Sequence, residues 1–183
     1  MQDDDAFWAA QRVAAFSDAM IRAIVHTGEF SDAATEKAIA DIMIKRRDKI
    51  LQAYLPAVNP IVTPRLEGNR LSFQNAAVEA DVAKAPAVYR ASWFLFDNAT
   101  GESRPLSETT SATTTIEAPR ALPTADNSFI KVDIAADSAD HEAWRRPIST
   151  YFRRVSGGSW QLVGLERMPG GPAELSARRQ GTH

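Results

Sequence analysis

The stretch Ile130-Lys131-Val132-Asp133-Ile134 sets apolar and charged side chains in strict alternation. Successive side chains of a strand point to opposite faces, so this run predicts a strand half in a core and half in water. Ile130, Val132 and Ile134 are expected to be buried, and Lys131 and Asp133 solvated. The same period of two runs through Tyr89, Ala91, Trp93 and Leu95, with Arg90, Ser92, Phe94 and Phe96 on the other side. Further along, Ile148 to Val155 and Trp160 to Arg167 flank Ser156-Gly157-Gly158-Ser159, the pattern of a β-hairpin. Asp97-Asn98-Ala99-Thr100-Gly101 is turn chemistry, Thr109 to Ile116 is a β-branched run, and Leu71-Ser72-Phe73 adds another short strand. About six strands at such spacings suit an immunoglobulin-like antiparallel β-sandwich better than alternating strand–helix units.

Upstream the period changes. Asp3 to Asp5 favour a helix start, where the backbone dipole attracts negative charge, and Phe7, Ala10 and Val13 then recur at helical spacing. Ser17-Asp18 signals a second N-cap, with Met20, Ile21, Ile24 and Val25 on one face. Gly28 is expected to end that helix in the left-handed conformation. Ser31-Asp32 opens a third helix whose expected buried stripe is Ile39, Ile42, Met43, Ile50 and Tyr54. Lys37, Asp41, Lys45 and Lys49 form its solvated face, and Pro56 stops it. The fold class is therefore α+β: a helical region over residues 1–60, a β-sandwich over 61–168, and a disordered tail over 169–183, rich in Gly, Pro and Arg.

Composition narrows the function. There are 21 Lys+Arg against 23 Asp+Glu, for a net charge of -2. A nucleic-acid binder needs a basic excess to neutralise phosphates, so nucleic acid is not an expected partner. Cysteine is absent, which removes disulfides, thiolate metal sites and thiol catalysis. No apolar run is long enough for a transmembrane segment, and the acidic start Met1-Gln2-Asp3-Asp4-Asp5 is not a signal peptide.

Candidate chemistry is sparse. His141 stands among Asp137, Asp140 and Glu142, a set that suggests a metal or general-base cluster but reads better as an acidic, solvated loop. No nucleophile elbow, phosphate loop or dinucleotide fingerprint occurs. No catalytic, cofactor-binding or metal-ligating residue is therefore assigned, and no cofactor is expected. Arg145-Arg146 and Arg153-Arg154 are expected to block edge-to-edge strand pairing rather than bind anions. Trp93, Tyr151 and Trp160 suggest an aromatic sugar platform, although period-two aromatics usually fill a core. The weakest candidate is a ligand patch of Trp93, Arg153 and Trp160.

Three stretches carry a resemblance: Asp5-Ala6-Phe7-Trp8-Ala9-Ala10 with Phe16-Ser17-Asp18 and Ile21 to Val25; Ile44 to Ile50; and Leu71 to Ala77. Together they resemble the carboxy-terminal region of a family of large uncharacterised bacterial proteins, exported, with a distantly kinase-like preceding body. The resemblance spans most of residues 5–168. It implies a periplasmic or extracellular location, an internal or fragment start at Met1, and a catalytic body outside this chain. The expected function is a non-catalytic accessory or interaction module whose partner is the rest of a longer parent chain or another protein. Two alternatives are an enzyme or enzyme subunit using the loop around His141, and a carbohydrate-binding β-sandwich.

Overall fold

The computed structural model describes residues 3–167; the expected tail, 169–183, lies outside the described residues. The chain divides into two compact units, with boundaries between Pro60 and Ile61, Gln74 and Asn75, and Ala85 and Pro86.

The first unit is helical. It contains α1 (Asp3–Ala14), α2 (Asp18–His26), α3 (Ala33–Tyr54) and the single-turn α4 (Ala76–Glu79). The N-caps fall where the sequence signals them. Ser17 accepts from the Met20 N–H at 3.2 Å, and Asp32 accepts from the Ala34 and Thr35 N–H groups at 3.1 and 2.9 Å, satisfying donors that the first helical turn leaves unpaired. The reason for Gly28 differs from the expected one. It is Glu29 that takes the positive φ, 47°, while a Cβ on Gly28 would stand 2.7 Å from the Phe30 ring.

Helices α1 and α2 both pack along α3. Ile21, Val25, Ala40 and Ile44 form one buried cluster, and Phe7, Ala10, Leu51 and Leu55 are also buried. The expected stripe on α3 is thereby corrected. Ala40, Ile44 and Leu51 are buried, whereas Ile42 is 51% exposed, Met43 45% and Tyr54 40%. Ile39 and Ile50 are half-buried. Apolar residues occupy more of the α3 circumference than two short helices can cover, so the buried row lies about one residue away from the expected one. Lys45 and Lys49 are exposed, as expected.

The second unit holds two antiparallel sheets. Strands β1 (Ile61–Glu67), β2 (Arg70–Asn75) and β5 (Thr115–Glu117) form one in the order β1-β2-β5. The other comprises β3 (Val88–Phe96), β4 (Ser103–Ser111), β6 (Phe129–Asp137), β7 (Ile148–Arg154) and β8 (Trp160–Glu166), in the order β4-β3-β6-β7-β8. The expected run from Thr109 to Ile116 is broken: β4 ends at Ser111, whose hydroxyl accepts from the Thr113 N–H at 3.0 Å, and β5 begins at Thr115. Strand β1 is an addition, obscured in the sequence by Pro64.

Register fixes the faces. Ile130, Val132 and Ile134 are completely buried; they pair with Leu95, Trp93 and Ala91 on β3 and with Phe152, Thr150 and Ile148 on β7. Phe73 of β2 meets Tyr89 of β3 edge-on at 5.1 Å, so the two sheets share an interior. Lys131 and Asp133 lie on the opposite face but are not solvated as expected; their side chains are only 18% and 17% exposed. They pair at 3.1 Å, Asp133 accepts from the Ser149 hydroxyl at 2.6 Å, and the Lys131 ammonium sits 5.3 Å from the Phe94 ring. Long neighbours on adjacent strands cover them.

Two outcomes follow for the helical unit. Ile44→Asp buries an unpaired charge and should abolish its cooperative melting, while Ile42→Asp, on an exposed site, should change stability by no more than about 0.5 kcal/mol; helical circular dichroism during urea titration measures both. Acid should also act on this unit. The Thr35 hydroxyl and the two capping N–H groups lower the Asp32 pKa from 3.8, and Lys37 followed by Arg22 lower that of Asp41 from 3.8. Their contribution is complete above 3.8 and lost as pH falls through the lowered values. The urea midpoint should therefore drop in strong acid, and less steeply in Asp41→Asn.

Candidate docking groove

Polar contacts fix α2 antiparallel to α3 along its whole length. At one end the Arg47 guanidinium donates to Asp18 at 2.6 Å, to Asp48 at 2.7 Å and to the Phe16 carbonyl at 2.7 Å. In the middle, Asp41 accepts from Arg22 at 2.8 Å and Lys37 at 2.9 Å. At the other end His26 meets Glu36 at 2.9 Å. Arg47 is the most enclosed of these cations, with 14% of its side chain exposed, and Asp48, ahead of Asp18, raises its pKa further. A planar fork that reaches two carboxylates and a carbonyl ties the α1–α2 turn to the middle of α3.

Beside this fork a groove of about 430 Å³ opens within the helical unit. Val13 and Phe16 come from α1 and the turn after it, Ile21 and Ile24 from α2, and Met43, Arg46, Arg47 and Ile50 from α3. Ile21 is buried, whereas Phe16, Ile24 and Met43 are exposed. Met20, also exposed, is one turn from Ile24 on α2. The wall on α3 runs from Met43 to Ile50, roughly 10 Å at the helical rise per residue. Arg46 has no ion-pair or hydrogen-bond partner among the described residues, in contrast to Arg47 beside it. The lining is therefore apolar with one uncommitted cation at its margin.

The other candidates fall elsewhere. Trp93 is buried, its indole N–H donating to the Thr109 hydroxyl at 2.8 Å. Trp160 is buried under the Arg154 guanidinium, 5.4 Å from its ring. Arg153 is on the face opposite Trp93, where it donates to Asn127 at 2.6 Å, so the three residues do not share a surface. Strand β7 lies between β6 and β8; Arg153 and Arg154 therefore guard no sheet edge. The edge strand β4 instead carries Pro105 at a register shift, with Arg104 and Glu108 nearby in sequence. His141 stacks on the buried Trp144 at 4.6 Å, and Asp137 accepts from Arg145 at 2.9 Å. Among the described residues no group of three His, Cys, Asp or Glu side chains is arranged to hold a metal ion, and no helix is long and apolar enough to cross a membrane.

The sequence signal for the groove was the surplus of apolar residues on α2 and α3, which one-face patterning assigned to the core. Replacing Arg47 by Met keeps bulk but removes the fork. It should destabilise the helical unit by about 1–2 kcal/mol, the scale of hydrogen bonds to a charged group reduced for the exposure of Asp18; Lys should restore only part, as read in chemical denaturation. Comparison with known proteins finds no matching family model, no matching curated protein and no matching solved structure.

Proposed function

We propose that this chain is a non-catalytic interaction module of a larger exported bacterial protein, acting in the periplasm or outside the cell. Its helical unit would capture an amphipathic helix carrying a carboxylate, supplied by the parent chain or by another protein. The carrying observation is the groove whose exposed apolar wall, Phe16, Ile24 and Met43, adjoins Arg46, which has no partner among the described residues. A slot with a buried floor at Ile21 and a wall of about two helical turns suits side chains at i, i+3 or i+4, and i+7 of a docked helix. Arg46 favours a carboxylate opposite it, because an unpaired cation at a closing interface needs a partner. The bacterial origin and exported location rest on the resemblance described above, which spans most of residues 5–168. The immunoglobulin-like arrangement of the β unit belongs to the same reading, supported by a three- and a five-stranded sheet whose interiors meet at Phe73 and Tyr89.

Selection of a random peptide library on the immobilised chain tests the docking role. Enriched peptides should carry apolar residues at helical spacing with Asp or Glu on one flank. Ile24→Glu combined with Met43→Glu, both at exposed sites, should weaken their binding at least ~10-fold, about 1.4 kcal/mol, without changing the melt. Arg46→Glu should transfer preference to Lys-bearing versions of the same peptides. No enrichment, or binding indifferent to the double substitution, rejects the groove as a docking site; retained binding without charge preference rejects the acidic helix as its occupant. Self-association abolished by Met43→Glu would make a second copy the occupant instead.

A further inference from the structure

We propose that a cavity at one end of the five-stranded sheet is a binding subsite for a neutral saccharide. It lies in the β unit and does not depend on the helical groove. It is a broad, open depression of about 550 Å³ rather than an enclosed pocket, so one face of a ligand would stay in water. It opens where β3 runs out into the turn at Asp97 and where β6 begins at Phe129.

The apolar part of the wall is made by Leu95, Phe96 and Phe129. Phe96 and Phe129 are register partners on adjacent strands, and Phe96 is braced from behind by Tyr151 at 4.9 Å between ring centroids. The Tyr151 phenol donates to Glu166 at 3.1 Å, and burial, followed by the Glu166 charge, pushes its pKa up to about 12. The brace therefore keeps its proton and its position throughout the physiological range.

Asp97 and Asn127 are held in place before any ligand arrives. Asp97 closes its own turn, accepting from the Ala99 and Thr100 N–H groups at 2.8 and 3.2 Å, while its carbonyl accepts from the Gly101 N–H at 2.8 Å. Asn127 adopts φ 61°, a left-handed conformation that asparagine tolerates better than most residues. The Arg153 fork grips its carboxamide oxygen at 2.6 and 3.2 Å. With that oxygen engaged, the Asn127 amide presents its NH₂ donors. The Asn98 carboxamide and the Ser128 hydroxyl make no hydrogen bond among the described residues, and both line the same cavity.

Two aromatic rings beside an anchored carboxylate and amide, at Asp97 and Asn127, and an unengaged amide and hydroxyl, at Asn98 and Ser128, match a sugar, which has apolar C–H faces and a rim of hydroxyls that donate and accept. An anionic ligand would face the Asp97 carboxylate, with the Arg153 fork already engaged. A purely apolar ligand would strip water from Asn98, Asn127 and Ser128 without replacing it. The neutral polyhydroxylated class remains. The aromatic residues that carry this chemistry are Phe96 and Phe129, not Trp93 and Trp160, which are buried.

The test is a glycan array of neutral and acidic mono- and oligosaccharides probed with the full chain, followed by calorimetric titration of the best-bound glycan. A neutral glycan should bind, and Asn127→Ala should weaken it at least ~10-fold. Phe96→Ala should do the same, but it also removes the contact with Tyr151. Asn98→Ala, at an exposed side chain without partners among the described residues, is therefore the control that leaves folding intact and should weaken binding by several fold. The Ile24→Glu/Met43→Glu chain should bind the glycan like the parent. Absence of binding to any glycan, preference for acidic ones, or affinity unchanged in both Asn98→Ala and Asn127→Ala would overturn the proposal.

Discussion

Strand β6 is paired along both edges, and its inner row of Ile130, Val132 and Ile134 is sealed from water. A one-residue slip would turn Lys131 and Asp133 into the interior and the isoleucines out, so the register is set by the hydrophobic effect rather than by local propensity. Once it is set, the neighbours follow. Trp93 must face inward beside Val132, Phe96 must fall opposite Phe129, and Tyr151 must emerge on the outer face next to Lys131. The proposed saccharide cavity is thus a consequence of the same register, because it brings the two phenylalanines side by side at the end of the sheet.

The helical unit is governed by a different constraint. Alternation allots each strand residue to one of two faces, whereas a helix distributes its residues around a circle, and only the arc touching a neighbour is buried. On α3 that arc is defined by α1 and α2 together, and it selects Ala40, Ile44 and Leu51. Ile42 and Met43 are left outside it. Mixed coverage of this kind is costly in a monomer, since exposed apolar side chains gain nothing from folding. Several of them gather beside one groove, which is the physical basis of the docking role proposed for that face.

The sequence was most informative where one residue type has one mechanical role. The caps at Ser17 and Asp32, the turn at Asp97 to Gly101, and the hairpin at Gly157-Gly158 were legible because each rests on a local hydrogen bond or a positive φ. Which α3 residues would be buried was not, because that depends on where other helices lie. Strand β1 was hidden by Pro64, and the break between β4 and β5 by β-branched residues on both sides of Ser111 and Ala112. The candidate sites were the least legible. Trp93 and Trp160 were natural ligand-facing aromatics from composition alone, yet their size makes them the preferred fillers of an interior.

Arg46 and Arg47 show how far identity in sequence can diverge from role in structure. Both belong to the basic run Lys45-Arg46-Arg47, whose charges helical geometry spreads around the axis. One helical position, about 100° of rotation, separates them. Arg47 turns toward Asp18, Asp48 and the Phe16 carbonyl and becomes the tie that holds α2 in place. Arg46 reaches none of these and stays uncommitted at the margin of the groove. Two adjacent arginines thus differ in role because only one of them faces the α1–α2 turn.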